Sequence, residues 1–216
     1  MGRDRDDVCA VASLKDGVGP VIPVEPDDPI ALWHAWLQDA IGAQIEEPTA
    51  AVVSTVDESG LPDARYVLVR GVDDDGFTFY TNFEAAKSRQ LRAVPYASLV
   101  FGWLELHRSV RVRGRVVRVS DEVADAYFAG RPRGAQVGAW ASAQSSVIAD
   151  RAVLDAAVAE IEQRFEGAEV TRPAFWGGWR VVPDSLEFWQ GQPDRLHDRM
   201  LWTRDGKGWS RTRLSP

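Results

Sequence analysis

Four clusters of cations, hydroxyls and aromatic rings stand out in the 216-residue sequence. In Arg65-Tyr66-Val67-Leu68-Val69-Arg70, two arginines lie five residues apart. On a strand they point to opposite faces and so serve different partners. Tyr80-Thr81 followed by Lys87 pairs a strand end with a helix start, where hydroxyls, backbone N–H groups and an ammonium suit a phosphate. Tyr127 with Arg131 and Arg133 repeats that combination of hydroxyl and cations. The fourth cluster is Phe188-Trp189-Gln190-Gly191 followed by Arg195-Leu196-His197-Asp198-Arg199. Each has a plainer reading, since Arg and Lys on loops are mostly solvated. No phosphate-loop, dinucleotide-binding or nucleophile-elbow motif is present, and His34, His107 and His197 are too scattered to suggest a metal site. Two phosphate-suited clusters without a catalytic nucleophile favour a phosphorylated cofactor acting on a phosphorylated substrate.

These clusters need elements to hold them. Asp27-Asp28-Pro29 offers an N-cap with proline at the first helical position. Trp33, Trp36, Leu37, Ala40 and Ile41 then fall on one helical face, closed by Pro48. The period switches at Ala50 to Val56, a β-branched run, and Asp57-Glu58-Ser59-Gly60 is a turn. Ala64 to Val72 reads as a strand with Tyr66, Leu68 and Arg70 on one face and Arg65, Val67 and Val69 on the other. A turn at Asp73-Asp74-Asp75-Gly76 leads into Phe77 to Thr81, and a short helix fits Glu84 to Val94, ended by Pro95. Strands follow at Tyr96 to Trp103 and Val110 to Val119. The second of these sets Val110, Val112 and Val116 against Arg111, Arg113 and Arg115, a basic face of the kind usually left to solvent. Ser120-Asp121-Glu122 caps a helix through Phe128, and Gly130-Arg131-Pro132-Arg133-Gly134 reads as a rigid basic loop. Asp150 to Phe165 is a helix with Val153, Leu154, Ala157, Val158 and Ile161 on one stripe. Strands return at Trp179 to Val182 and at Ser185 to Trp189, and Met200 to Leu214 reads as a hairpin turning at Asp205-Gly206. Consecutive short strands with a few inserted helices imply an α+β domain: an antiparallel barrel with helices packed outside.

Composition narrows the partners. The net charge is −7, so the chain lacks the long-range field that draws proteins to nucleic acid or anionic membrane. No apolar run approaches the ~18 residues of a membrane helix, and the first residues lack the apolar core of a signal peptide. A single cysteine, Cys9, forms neither an internal disulfide nor a thiolate cage, which makes a reducing cytoplasm the expected compartment. Residues 1–26, rich in small residues, Gly and Pro, read as a flexible tail ahead of one domain over 27–216. Nine tryptophans against four tyrosines supply large flat surfaces for a core, an interface or planar ligands.

The sequence resembles the pyridoxine/pyridoxamine 5′-phosphate oxidase family, flavin enzymes that make pyridoxal 5′-phosphate. The resemblance rests on Arg65 to Arg70, Phe79-Tyr80-Thr81-Asn82, Arg131 to Trp140, Gln144-Ser145-Ser146, Phe175-Trp176-Gly177-Gly178, Glu187 to Gly191, Arg195 to Arg199 and the closing Arg213-Leu214-Ser215-Pro216. These segments run in family order from about Asp28 to the C-terminus. The resemblance implies a split β-barrel homodimer with FMN at the subunit interface, because the family joins groups as distant as Gln144 and Ser145 to Arg65 and Lys87 across subunits. It assigns FMN contacts to Arg65, Tyr66, Val67, Leu68, Val69, Arg70, Tyr80, Thr81, Lys87, Ser109, Gln144, Ser145, Trp189 and Arg199. Substrate contacts fall to Arg70, Tyr127, Arg131, Arg195 and His197, with Arg195 and His197 as the catalytic pair. The implied reaction oxidises a small phosphorylated pyridine, pyridoxine 5′-phosphate or pyridoxamine 5′-phosphate, with O2 as acceptor and H2O2 as product; no metal is implied.

Four positions depart from the family pattern. Arg70 stands where Lys is usual, Ala86 where many members have Arg, Ser109 where a Gln contacts FMN, and Ala135 where many have a Ser on the substrate phosphate. These departures leave two other readings open: a related flavin oxidase on another ring system, such as the phenazine-biosynthesis branch, and a non-catalytic protein that binds FMN or pyridoxal phosphate.

Overall fold

The computed structural model describes residues 21–23 and 27–216, so the expected tail over 1–26 lies outside the described residues except for 21–23. Helix α1 (Pro29–Gly42) starts where the sequence requires: the Asp28 side chain accepts from Ile30 N, and proline occupies the first turn. It stops six residues before Pro48, because Gln44 adopts a left-handed backbone (φ 57°) that turns the chain out of the helix. Strands β1 (Ala50–Val56), β2 (Pro62–Asp73) and β3 (Gly76–Asn82) form a meander. Helix α2 (Ala86–Ala93) then leads to β4 (Tyr96–Trp103) and β5 (Arg108–Arg118). Three helices follow, α3 (Asp121–Ala129), α4 (Arg133–Ala141) and α5 (Arg151–Arg164). The chain ends in β6 (Trp176–Gln190), β7 (Asp198–Asp205) and β8 (Gly208–Leu214).

All pairings are antiparallel in the order β3-β2-β1-β4-β5-β6-β7-β8, and β3 also pairs with β6, which closes six strands into the expected barrel. The two strands read at Trp179–Val182 and Ser185–Trp189 are one strand, β6. One edge pairs with β5 over residues 179–190. Its other edge pairs with β3 over residues 176–181 and with β7 over 185–190. Pro183, which has no N–H to donate, sits where the partner changes, opposite a register shift at Gly114. A Cβ on Gly114 would lie 1.9 Å from the Val182 carbonyl oxygen, so only glycine permits this approach.

Alternation on the strands turns the apolar residues inward. Trp33 of α1 packs edge-on against Phe77 and Phe101 at 5.5 and 5.3 Å, and Trp36 packs on Phe188 at 5.1 Å. Six of the nine tryptophans are buried, so most of the tryptophan excess serves packing. The basic face of β5 is exposed, as expected. A second apolar cluster lies under α3–α5, built on Phe128, Val137, Val170 and Trp176. The stripe of α5 is not fully buried: Val158 and Ile161 join this cluster while Val153 stays exposed. Helix α4 corrects the basic-loop reading after Pro132. Gly134 and Gly138 disguise it in the sequence, and packing against α5 supplies what propensity lacks. Ile22 is 1% exposed, and its N–H donates to the buried Asp198 carboxylate, which also pairs with Arg213.

Candidate functional site

A cavity of about 570 Å³ opens beside the barrel. Tyr66, Val67, Leu68 and Arg70 of β2 form one wall, and Tyr80 and Thr81 of β3 with Lys87 of α2 form another. Tyr127 from the end of α3, the Gly130–Pro132 turn, Ala135, Gln144 and Trp176 complete it. Two of the expected clusters, Tyr80-Thr81-Lys87 and Tyr127-Arg131, therefore line the same space, together with Arg70.

Lys87 is 8% exposed. Its Nζ donates to Thr81 Oγ1 at 3.1 Å and to Gln144 Oε1 at 3.0 Å, which leaves one of its three donors for a ligand. Burial, reinforced by the charge of Arg65 and opposed by that of Asp63, lowers its pKa to about 8. A buried ammonium held down in this way gains from an anion beside it. Arg65 points to the face opposite Arg70, as alternation demands. It donates to Thr55 Oγ1 at 2.6 Å and Gln90 Oε1 at 3.0 Å, and pairs with Asp63. Arg65 thus reaches the site through its charge on Lys87, while Val69 belongs to the barrel core.

Opposite Lys87 the walls are aromatic. Tyr80 stacks on Tyr127 with centroids 3.8 Å apart and planes 6° from parallel, and Trp176 lies parallel at 5.5 Å from Tyr80. A Cβ on Gly178 would come within 3.0 Å of the Tyr80 ring, so this glycine leaves room for the stack. Burial, then the neighbouring Tyr127, raises the pKa of the Tyr80 phenol. The Arg131 guanidinium lies 4.6 Å over the Trp176 ring. Its Nη1 is buried without a hydrogen-bond partner, and burial lowers its pKa. A buried cationic donor left unpaired is costly, and an anion in the cavity would satisfy it. Arg133, grouped with Arg131 in the sequence, turns away and donates to the Phe165 and Ala168 carbonyls behind α5.

The remaining expected residues lie elsewhere. Ser109, Trp189 and Arg199 are neighbours across β5, β6 and β7. Ser109 and Trp189 line a second cavity of about 430 Å³ with Leu104, His107, Arg111 and Glu187. Glu187 is buried between Arg111 and Arg199 and accepts from Arg199 Nε at 2.9 Å. The sequence reading missed Glu187 as a partner of Arg199, although Arg111 and Glu187 are direct cross-strand neighbours. The His197 ring lies 4.7 Å from Trp189, and Gln192 N–H donates to its Nδ1, so in the neutral ring the proton sits on Nε2. Asp194 and Arg195 hold left-handed backbones (φ 55° and 61°), a strain found where side-chain placement matters. Ser145 is also left-handed (φ 71°) and lies next to Gln144.

One correction follows for the expected joint between subunits. Gln144 meets Thr81 and Lys87 within a single chain, so the division does not fall there. The wide separation lies along β6 instead: Tyr80 pairs with Gly178 near one end of this strand, and Trp189 lies eleven positions further on. At roughly 3.3 Å per residue the two ends are on the order of 30 Å apart. One small ligand cannot touch both in the same chain. Trp176, quoted in the sequence only within a motif, proves to be a wall of the first cavity.

Among the described residues, no helix is long and apolar enough to cross a membrane, and no group of His, Cys, Asp or Glu is placed to hold a metal. Comparison with known proteins gives a consistent result. The family model described as pyridoxamine 5′-phosphate oxidase matches residues 37–165. The model described as the pyridoxine 5′-phosphate oxidase C-terminal dimerisation region matches residues 176–216. A pyridoxine/pyridoxamine 5′-phosphate oxidase of Burkholderia mallei is 52% identical over 192 residues, 88% of this chain and 89% of its own. One from Rubrobacter xylanophilus is 50% identical over 202 residues, 94% of this chain and 90% of its own. Among solved structures, PhzG from Burkholderia lata, in complex with tetrahydrophenazine-1-carboxylic acid, has a TM-score of 0.86 at 32% identity. That match covers 92% of this chain and 99% of the PhzG chain.

Proposed function

The chain belongs to the pyridoxamine 5′-phosphate oxidase family, and from that membership we propose that it oxidises pyridoxine 5′-phosphate or pyridoxamine 5′-phosphate to pyridoxal 5′-phosphate. FMN is the cofactor, O2 the electron acceptor and H2O2 the product; with the amine substrate, water supplies the aldehyde oxygen and ammonia leaves. The observation that carries this reading is the pair of anion-seeking cations lining one cavity: Lys87 with a donor to spare, and Arg131 with an orphaned buried N–H. Their surroundings fit two phosphates and a planar ring system, and the cavity volume suits a ligand of that size.

When bound, FMN would supply the redox chemistry, hydride acceptance from the substrate carbon and reoxidation by O2. Lys87, with Thr81 and Gln144 fixing its ammonium, holds the cofactor phosphate, and Arg65 adds charge from behind. Tyr127 and Arg131 hold the substrate phosphate, with Arg70 on the facing wall. Trp176 and Tyr80 exclude water from that side. A second copy of the chain closes the cavity with Ser109, Trp189 and Arg199 against the flavin, and with Arg195 and His197 against the substrate. His197 offers its Nε2 proton as a hydrogen-bond donor. The protein thus works by orientation and electrostatics.

A second reading, oxidation of a different ring system, is motivated by the likeness to PhzG. The Tyr127–Arg131 pair favours a phosphorylated substrate. Oxygen consumption by the FMN-loaded protein separates the two. Turnover of pyridoxine 5′-phosphate, with the unphosphorylated vitamin a poor substrate and Arg131→Ala weakening binding roughly 10- to 150-fold, supports the first reading. Equal handling of both forms by parent and variant contradicts it.

A further inference from the structure

We propose that Arg172 is a positioning residue for the substrate-phosphate grip, tying the helix that carries Tyr127 to the strand end that carries Trp176. This rests on the functional reading above. Arg172 does not line the cavity. Its side chain is 9% exposed and makes three directed bonds. Nε donates to Asp125 Oδ1 at 2.6 Å and Nη2 to Asp121 Oδ1 at 2.9 Å, both on α3, while Nη1 donates to the Trp176 carbonyl at 2.8 Å. Asp121 and Asp125 are one turn apart, so one guanidinium fork spans both carboxylates.

The consequence lies at the far end of α3. Tyr127 follows Asp125 by two residues, and its ring runs parallel to Trp176. Arg131 is fixed to the same helix end through its N–H to the Phe128 carbonyl at 3.1 Å, and its guanidinium rests on the Trp176 ring. Any slide of α3 relative to Trp176 therefore displaces both groups that grip the phosphate. The buried apolar contacts of α3 are Ala124 and Phe128. Apolar packing is non-directional and does not fix axial position. Gln136 Nε2, donating to the Phe128 carbonyl at 2.9 Å, ties the end of α3 to α4, and the Arg172 fork supplies the directed tie to the Trp176 backbone. Its two carboxylate partners are well exposed, at 72% and 61%, so solvent screens the Coulomb part of these pairs. Hydrogen bonding to Asp125, with its charge, raises the Arg172 pKa above its ordinary value.

The test compares FMN-loaded parent, Arg172→Leu, Arg172→Lys, Tyr127→Phe and the Arg172→Leu/Tyr127→Phe double variant. Arg172→Leu should raise KM for pyridoxine 5′-phosphate roughly 5- to 20-fold while kcat and FMN content hold. Arg172→Lys, which keeps the charge but not the fork, should fall between. In the Tyr127→Phe background the Arg172→Leu effect should shrink. An undiminished effect there, or a parallel loss of kcat, FMN content and melting temperature, overturns the proposal. Near-UV circular dichroism of the Tyr80–Tyr127–Trp176 stack needs no turnover. A changed spectrum in Arg172→Leu supports the tie, and an unchanged one overturns it. A parent inactive on the phosphorylated substrate defeats the functional reading alone, and the dichroism then decides on Arg172.

Discussion

Lys87 and Arg70 carry the sharpest expectations at the level of single residues. The folded chain lowers the Lys87 pKa from 10.5 to about 8. Between those values the unfolded chain binds more protons, so this group makes the ligand-free protein more stable as pH rises from about 8 towards 10.5. A bound phosphate reverses the preference by favouring the ammonium. FMN affinity, followed by quenching of flavin fluorescence, should therefore fall as pH rises above about 8, and Lys87→Gln should flatten that dependence. A wild-type affinity constant from pH 7 to 9.5 would remove Lys87 from the cofactor site. Arg70 and Ala135 line the same cavity, although they are distant in sequence. Arg70 faces Glu47 only loosely, at 3.9 Å, so its fork remains available to an anion. If Arg70 compensates for the hydroxyl absent at Ala135, a double-mutant cycle over Arg70→Lys and Ala135→Ser should show about 0.5–3 kcal/mol of coupling in kcat/KM. Ala135→Ser should then help most in the Arg70→Lys background. Strict additivity would leave Arg70 a neutral exchange.

The elements that hold these residues depend on a few local decisions. At the point where β6 leaves β3 for β7, Gly114 and Pro183 oppose each other. Gly114→Ala would press a methyl group into the Val182 carbonyl. It should cost at least about 2–3 kcal/mol, seen as a lower melting temperature of the ligand-free protein; an unchanged melting temperature would mean the bulge relaxes freely. This crossover also shows where sequence reading stops. Alternation and turn residues were enough to outline β1 to β5, the capped starts of α1, α3 and α5, and the final hairpin, because those signals are local. The sequence reading left residues 183–184 outside its two strands, since only the tertiary exchange of partners makes the missing N–H of Pro183 harmless there. Helix α4 was illegible for a related reason: its glycines argue for a loop until α5 packs against it. At the site, hydroxyls beside cations were legible in Tyr80-Thr81-Lys87 and Tyr127-Arg131. The turn of Arg133 towards α5, the Glu187 clamp on Arg199 and the role of Trp176 as a wall depend on side-chain direction and long-range contact, which spacing does not encode.

At the scale of the whole molecule, the central feature is that the expected site residues form two groups at opposite ends of β6, on the order of 30 Å apart by strand rise. Tyr127 and Arg131 belong to one group, Arg195 and His197 to the other. The match of residues 176–216 to a dimerisation region accords with a site assembled from two copies. In a twofold dimer each site then takes one group from each chain. Mixing two variants, each impaired at substrate well below the parent's KM, tests this directly. Arg131→Ala damages the first group and Arg195→Leu the second, so a mixed dimer carries one doubly damaged site and one intact site. The measurement is oxygen consumption with pyridoxine 5′-phosphate after the two FMN-loaded variants are co-refolded in equal amounts. Random pairing makes half of the dimers mixed, each with one intact site, so activity should return to roughly a quarter of the parent's. Activity no higher than the mean of the two variants alone would mean that each site lies within one chain, and would contradict the account.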